Sequence, residues 1–101
     1  MDVVHRTNDI DFVWDFRKAA ANLQRHGVSL ETACEIFFDP FVRFLRSEVV
    51  EGEPRETIVG LTAGWKLLVV IFTPREDSIR LISARYASRQ ERSHYEDEPA
   101  P

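Results

Sequence analysis

The sequence lacks the features that most directly reveal a disulfide framework, a metal site or a membrane location. It contains a single cysteine, Cys34, which excludes an internal disulfide, and none of its three histidines stands near that cysteine with the spacing of zinc ligands. Residues 1–8 do not resemble a signal peptide, and the longest apolar run, residues 67–72, is too short to cross a membrane. We therefore expect a cytoplasmic protein without a metal.

The sequence also lacks an excess of basic residues, because its formal net charge is -4. Proteins that bind nucleic acid normally neutralise phosphates with clustered Lys and Arg, so the total charge argues mildly against this class. The segment 79–92 is an exception, since it carries Arg80, Arg85, Arg89 and Arg92 against a single acidic residue. A basic patch is therefore expected on an acidic protein.

The length of 101 residues and an apolar fraction of 44% predict one folded domain. We place this domain at residues 11–96. Residues 1–10 show no periodicity and predict a flexible N-terminal extension, and residues 97–101 predict a disordered acidic tail.

The first part of the domain predicts a short strand and two helices. Residues 11–14 alternate polar and apolar side chains, and Asp15 is placed to cap a helix that begins at the next residue. Apolar side chains then recur every three or four residues until Gly27, which is suited to end the helix. Ser29 is placed to cap a second helix that ends before Pro40, so the two helices should form a compact hairpin.

The second part of the domain predicts strands and a final helix. The strands are expected at residues 41–45, 55–61, 65–73 and 78–85, and the helix at residues 88–95. Short loops join the last three strands, which predicts an antiparallel meander. The fold class is therefore α+β, with an antiparallel sheet packed against an N-terminal helical hairpin and a C-terminal helix.

With these elements in place, three blocks of residues resemble the BrnT family of bacterial toxins. The first block contains Trp14-Asp15, Lys18-Ala19, Asn22 and Arg25-His26-Gly27-Val28-Ser29. The second contains Phe37-Phe38-Asp39-Pro40, Gly52-Glu53, Arg55 and Gly60-Leu61. The third contains Arg80-Leu81-Ile82-Ser83-Ala84-Arg85, Ala87, Arg89, Glu91-Arg92 and Tyr95. The resemblance runs from about residue 12 to residue 96.

This resemblance implies a RelE-like fold and a function as the toxin of a type II toxin-antitoxin system. The implied activity is metal-independent endoribonuclease cleavage that inhibits translation and growth, with no cofactor. The implied partners are RNA, a cognate BrnA-type antitoxin and, as an open question, the ribosome.

Cleavage of RNA without a metal requires stabilisation of negative charge on the phosphate and two proton transfers, tasks suited to Arg and His. We therefore expect the catalytic residues to be His26, Arg55, Arg80 and Arg85. Strict strand alternation places Arg80 and Arg85 on opposite faces, so they can share one phosphate only if the strand ends or bulges near residues 83–85. The alternatives remain open: two unrelated arginines, an Arg55 paired with a neighbouring glutamate, and a His26 that bonds the end of its helix.

The remaining polar and cationic residues of these blocks are expected to bind RNA, and these are Lys18, Asn22, Arg25, Arg89 and Arg92. Each has a structural alternative. Lys18 can pair with Asp15, and the two C-terminal arginines can contact the antitoxin or only solvent. For Tyr95 we favour anchoring of the last helix over stacking on a base, and for Cys34 we favour packing over catalysis.

A different function class also fits the sequence. The chain could be a catalytically silent module of the same fold that binds protein or nucleic acid. An unrelated small-molecule enzyme is disfavoured, because we find no glycine-rich phosphate loop, acid dyad or cofactor motif.

Overall fold

The structure, a computed structural model, describes residues 1–96, so the predicted acidic tail at residues 97–101 lies outside the described residues. Six strands were found within this range: β1 (Asp2–Thr7), β2 (Ile10–Asp15), β3 (Arg43–Val50), β4 (Glu53–Leu61), β5 (Leu67–Pro74) and β6 (Ile79–Tyr86). The helices are α1 (Phe16–His26), α2 (Leu30–Ala33), which continues into a 3-10 helix (Cys34–Phe38), and α3 (Arg89–Glu96).

The predicted helix boundaries are confirmed by local hydrogen bonds. The carboxylate of Asp15 accepts the backbone N–H of Lys18 at 3.0 Å, and the Ser29 hydroxyl accepts that of Thr32 at 3.1 Å. Gly27 ends α1 with a positive φ of 70°, a conformation that glycine adopts without a steric cost. These short-range signals could be read from the sequence because they depend only on neighbouring residues.

All six strands form one sheet in the order β1-β2-β6-β5-β4-β3. The pairs from β6 to β3 are antiparallel, which confirms the predicted meander. However, β2 runs parallel to β6, so the sheet is mixed and the prediction of a wholly antiparallel sheet is wrong. The chain crosses from β2 to the far part of the sheet through the helices, and this long connection permits a parallel pair.

The N-terminal residues differ from the prediction of a flexible extension. Asp2–Thr7 form β1, which pairs with β2 over six residues from Asp2 opposite Asp15 to Thr7 opposite Ile10. Asn8 and Asp9 make the hairpin turn with positive φ angles of 50° and 66°. Asparagine and aspartate tolerate this conformation better than other non-glycine residues, so the pair Asn8-Asp9 is a sequence signal for this turn.

The two faces of the sheet have different coverings. One face, which we call the helix face, holds the main core, in which Ile58, Val70, Leu81 and Ala84 pack with residues of α2 and the 3-10 helix. On the opposite face, α3 packs through Tyr95 against a smaller cluster at Val59, Leu67 and Val69. Burial of apolar surface on both sides explains why β5 is almost fully buried over its first four residues.

A bulge in β6 changes which side chains share a face. Ile71 pairs with Ser83 while Phe72 pairs with Leu81, so Ile82 has no partner of its own in this ladder. An extra residue shifts the alternation by one. As a result Leu81 and Ala84 both point into the main core, although they are three residues apart.

Candidate functional site

Most arginines of the strands lie on the face opposite the main core, which we call the arginine face. Directly paired residues share a face, and Val59 and Val69 belong to the small cluster on this side. When the strand pairing is followed from these two valines to the edges of the sheet, six arginines fall on the same face. They are at positions 6, 43, 46, 55, 80 and 85. The same pairing places Asp2, Asp11, Asp15, Glu48 and Glu53 on this face, so it carries a dense mixture of arginines and carboxylates.

Arg55 and Arg80 form the centre of this face because they flank the same residue. Thr73 pairs directly with Arg80 across β5 and β6. On the other side of β5, Glu56 of β4 pairs with Phe72. The preceding residue of β4, Arg55, therefore lies beside the next residue of β5, which is Thr73. Neighbouring strands are about 4.8 Å apart, which puts the Cα atoms of the two arginines about 10 Å apart. Their long side chains can therefore reach one bound anion above Thr73.

Arg80 is engaged by the N-terminal strand. Its two terminal nitrogens each donate to a different carboxylate oxygen of Asp2, both at 3.1 Å. This hydrogen bonding lowers the pKa of the Asp2 carboxyl and raises the pKa of the Arg80 guanidinium. The side chains are 53% and 25% exposed, respectively, so solvent still reaches the pair.

Arg85 is engaged by the C-terminal helix instead. Its guanidinium donates to both carboxylate oxygens of Glu91, at 2.7 and 2.9 Å. The hydrogen bonds from Arg85 are the largest cause of a Glu91 pKa of about 2, and the backbone N–H of Ser88 contributes further. At the start of α3, the Glu91 carboxylate accepts the backbone N–H of Ser88 and the Ser88 hydroxyl accepts that of Glu91. Arg85 therefore holds α3 to the sheet.

The bulge places Arg80 and Arg85 on one face, but it does not bring them together. Arg80 lies in the row of Thr73 and Arg85 in the row of Val69, four residues away along β5. At about 3.3 Å per residue this separates the two rows by about 13 Å. Because each guanidinium also has its own carboxylate partner, the structure does not support the prediction that both hold one phosphate.

Helix α1, which carries Lys18, Arg25 and His26, lies on the other side of the sheet. Helix α1 contacts β6 and β2, with Ala19 packed against the main core. Lys18 and Arg25 are exposed and His26 is half-buried on this helix. The structure thus separates His26 from Arg55, Arg80 and Arg85, and the four predicted catalytic residues do not form one site.

Asn22 is buried rather than available to RNA. Its amide nitrogen donates to the carbonyls of Val28 and Ala84, at 3.0 and 2.9 Å, and its amide oxygen accepts the N–H of Ala84 at 3.1 Å. These bonds join α1, the loop after it and β6. The prediction of RNA contact is corrected, because side-chain type and helical spacing could not reveal a partner 62 residues away.

Helix α3 brings two predicted RNA-binding residues to the same side of the sheet as Arg55 and Arg80. Arg89 and Arg92 are both exposed, and Arg92 forms an ion pair with Glu96 at 3.8 Å. Because α3 packs through Tyr95 against Val59, Leu67 and Val69, both arginines belong to a helix on this side of the sheet. They can extend the cationic surface beyond the central pair.

Tyr95 anchors α3, as we favoured from the sequence. Its hydroxyl donates to Asp39 at 2.6 Å, and the same carboxylate accepts the backbone N–H groups of Phe41 and Leu61. Burial opposes ionisation of Asp39, yet these hydrogen bonds lower its pKa, while burial and Asp39 raise the pKa of Tyr95 to about 12. Asp39 thus joins three elements of the fold.

Sequence reasoning missed several residues of the arginine face, among them Arg46 and Asp2. Arg46 is exposed and pairs with Thr57, in the row between those of Arg80 and Arg85. Asp2 was assigned to a flexible extension. The β-branched residues Val3, Val4 and Thr7, followed by the turn-forming pair Asn8-Asp9, could have indicated the β1–β2 hairpin and with it an ordered position for Asp2.

The helix face carries a separate groove of about 630 Å³. The exposed aromatic side chains of Phe41 and Trp65 lie along it, together with Phe38. Cys34 lines it but is almost fully buried, and burial raises the pKa of its thiol to about 12. This thiol is therefore a packing group, as expected, rather than a nucleophile.

Among residues 1–96 no three side chains of His, Cys, Asp or Glu are grouped as they would be to hold a metal ion. None of the helices in the same range has the length and apolar character to cross a membrane.

Comparison with known proteins gives a consistent result. The family described as "Ribonuclease toxin, BrnT, of type II toxin-antitoxin system" matches residues 14–91. The crystal structure of the Brucella abortus ribonuclease toxin BrnT is similar, with a TM-score of 0.51 and 23% identity over 75% of this chain and 94% of that chain. No curated protein sequence matches this chain. The family match spans most of the chain, and the structural likeness supports a shared fold.

Proposed function

The chain belongs to the BrnT family of ribonuclease toxins of type II toxin-antitoxin systems, and from this premise we propose that its arginine face binds and cleaves RNA without a metal ion. We further propose that its arrangement of sheet and helices is RelE-like. The observation that carries the proposal is the placement of Arg55 and Arg80 on either side of Thr73.

Two guanidiniums at this separation suit the chemistry of phosphodiester cleavage. Attack of the 2'-hydroxyl oxygen on phosphorus forms a 2',3'-cyclic phosphate and breaks the bond to the 5'-oxygen, while the hydroxyl proton is lost to solvent and the leaving 5'-oxygen takes up a proton from solvent. Negative charge on the phosphate oxygens increases during this step. Arginine remains charged at any relevant pH and donates two parallel hydrogen bonds to such oxygens, which stabilises the charge as it develops. We assign this task to Arg55 and Arg80, and we assign RNA positioning to Arg46, Arg89 and Arg92.

The partners follow from the same surface. We propose that a BrnA-type antitoxin silences the protein by covering the arginine face with acidic side chains, since opposite charges accelerate encounter. The substrate would be messenger RNA, whose loss inhibits translation in the cytoplasm, with or without the ribosome. A complex that left the arginine face open would contradict this mode of inhibition.

A catalytically silent binding module remains the second candidate, and a specific observation favours it. Arg80 and Arg85 are each bound to a carboxylate through two hydrogen bonds. A guanidinium satisfied in this way binds a phosphate more weakly than a free one. Binding of RNA or antitoxin without cleavage would be the result.

One experiment separates the two candidates. The antitoxin-free protein is incubated with RNA in the presence of EDTA, with and without ribosomes, and new 5' ends are mapped. We expect Arg55→Ala and Arg80→Ala each to slow cleavage about 100-fold, the usual cost of removing one group that stabilises the transition state. Arg17→Ala, which removes an exposed arginine from α1 on the opposite side of the sheet, should cleave at the wild-type rate.

The outcomes are distinct. RNA left intact by the wild-type protein under all conditions would support the binding module and reject the nuclease. Cleavage by Arg55→Ala and Arg80→Ala at the wild-type rate would retain the nuclease but remove its site from the arginine face.

A further inference from the structure

The N-terminal strand lies outside the part of the chain that matches the BrnT family. The match begins at residue 14, whereas β1 ends at Thr7 and pairs with β2 along its full length. Asp2 stands at the first position of β1, in register with Asp15. Its carboxylate reaches across β2 to Arg80, which pairs with Val13 of that strand.

Asp2 occupies the fork formed by the two terminal nitrogens of Arg80, which is one of the two forks through which a guanidinium can bind a phosphate. Both terminal nitrogens of the guanidinium bond to the carboxylate, one to each oxygen. A phosphate group presents two oxygens in a similar geometry, so a carboxylate and a phosphate compete for the same fork of N–H groups. Only one of them can bind Arg80 in this way at a time.

We propose that Asp2, held by β1, is an internal competitor that limits the binding of RNA to Arg80. The inference rests on the proposed function of the arginine face. It adds a regulatory contact made by an element outside the matched region, and it predicts that the activity of the site depends on whether β1 is paired.

The surroundings of the Asp2–Arg80 ion pair allow RNA to displace Asp2, so that Arg80 is not permanently blocked. The backbone keeps Asp2 near Arg80, since the carbonyl of Met1 accepts the N–H of Phe16 at 2.9 Å and the ladder with β2 continues from Asp2. The Asp2 side chain is nevertheless about half exposed and can rotate into solvent without disturbing the core. An exposed ion pair of this kind is weak and weakened further by salt, so RNA can displace it.

The test compares two variants that remove the same charge from the same hairpin. Asp2→Asn abolishes the competing carboxylate, and Asp9→Asn is the matched control. Asp9 lies in the β1–β2 turn, at the other end of β1, where it pairs with Arg6 at 3.8 Å. Asparagine tolerates the positive φ of position 9, so the control should keep the turn.

Binding is measured at low salt by fluorescence anisotropy with a 2'-O-methyl RNA oligonucleotide, which lacks the hydroxyl that cleavage needs. We expect Asp2→Asn to lower the Kd by about two- to fivefold, the range for releasing one exposed ion pair, and Asp9→Asn by less than half of that change. In an Arg80→Ala background the effect of Asp2→Asn on the Kd should disappear, because the guanidinium for which Asp2 and RNA compete is absent. Circular dichroism verifies that each variant is folded.

Equal Kd values for Asp2→Asn and Asp9→Asn would overturn the competition and leave the proposed RNA site standing. A lower Kd of Asp2→Asn that persists in the Arg80→Ala background would also overturn the competition, because such an effect would arise from the change in net charge. Failure of the wild-type protein and all folded variants to bind RNA would overturn the proposed function and this inference together.

Discussion

The ion pair between Arg85 and Glu91 allows a quantitative test of how α3 is held on the sheet. Replacing Glu91 by glutamine removes the charge and keeps the size and one acceptor oxygen of the side chain. The wild-type carboxylate bonds Arg85 through both oxygens and also accepts the backbone N–H of Ser88. We expect Glu91→Gln to destabilise the protein and to loosen α3 first.

The size of the effect follows from the pKa of Glu91. Its fall from a usual value of 4.5 to about 2 sets an upper limit of about 3 kcal/mol on what the ionised carboxylate adds to the free energy of unfolding. The Arg85 side chain is 34% exposed, so solvent screening reduces this value. Glutamine also retains part of the hydrogen bonding. We therefore expect a loss of about 1–2 kcal/mol at pH 7.

The pH dependence has a defined sign. The folded-state pKa of Glu91 lies below its unfolded-state value, so the stabilisation is complete above pH 4.5 and disappears as the pH falls toward 2. The difference between wild type and Glu91→Gln should therefore be constant from pH 7 to about pH 5.5 and should shrink at lower pH.

The assay is urea unfolding followed by circular dichroism at several pH values and constant ionic strength. Glu96→Gln is the matched control, because Glu96 lies on the same helix and pairs with Arg92 at 3.8 Å with both side chains 54% exposed. The control should change the free energy of unfolding by less than about 0.5 kcal/mol. If Glu91→Gln and Glu96→Gln were equally stable at pH 7, Arg85 would not be a structural residue and the assignment of α3 anchoring would fail.

Two further substitutions test the core of the helix face. Asn22→Ala should lower the free energy of unfolding in urea by about 2–3 kcal/mol, because it leaves the backbone N–H and carbonyl of Ala84 without their buried partner. A decrease below about 1 kcal/mol would contradict this role. Gly60→Ala should cost about 1–3 kcal/mol, because the added Cβ would lie 3.0 Å from the Cβ of Ile36. Gly64→Ala is the control, since its Cβ would have only an ordinary contact at 3.8 Å, and equal stability of the two glycine variants would refute the packing argument.

Local sequence signals predicted most of the elements but not the full sheet. The caps at Asp15 and Ser29, the glycine at position 27 and the reciprocal bonds of Ser88 with Glu91 all involve residues at most four positions apart. Such signals are readable without knowledge of the fold. The parallel pairing of β2 with β6 joins residues 67 positions apart, and no local pattern encodes it.

The candidate site was harder to predict because it depends on which side of the sheet each residue occupies. The cations of α1 and those of β4 and β6 are similar in type, but the sheet lies between them. The bulge at Ile82 was foreseen as a requirement for placing Arg80 and Arg85 on one face, and it occurs close to the expected position. The carboxylates of Asp2 and Glu91, which decide what each arginine can do, come from the two ends of the described chain.

The arrangement of charges on the arginine face decides which arginine is accessible to a phosphate. Three carboxylates at the arginine face form ion pairs with Arg6, Arg80 and Arg85, and Asp15, Glu48 and Glu53 add further negative charge there, which reduces the field of that face at long range. Glu48 lies directly opposite Arg55 in the β3–β4 ladder, but within residues 1–96 no ion pair of 4 Å or less joins Arg55 to a carboxylate, so its guanidinium is more accessible to a phosphate than that of Arg80. RNA binding would therefore begin at Arg55 and become stronger when Asp2 releases Arg80. On this argument the two central arginines differ in role, with Arg55 setting the initial contact and Arg80 setting the strength of the final complex.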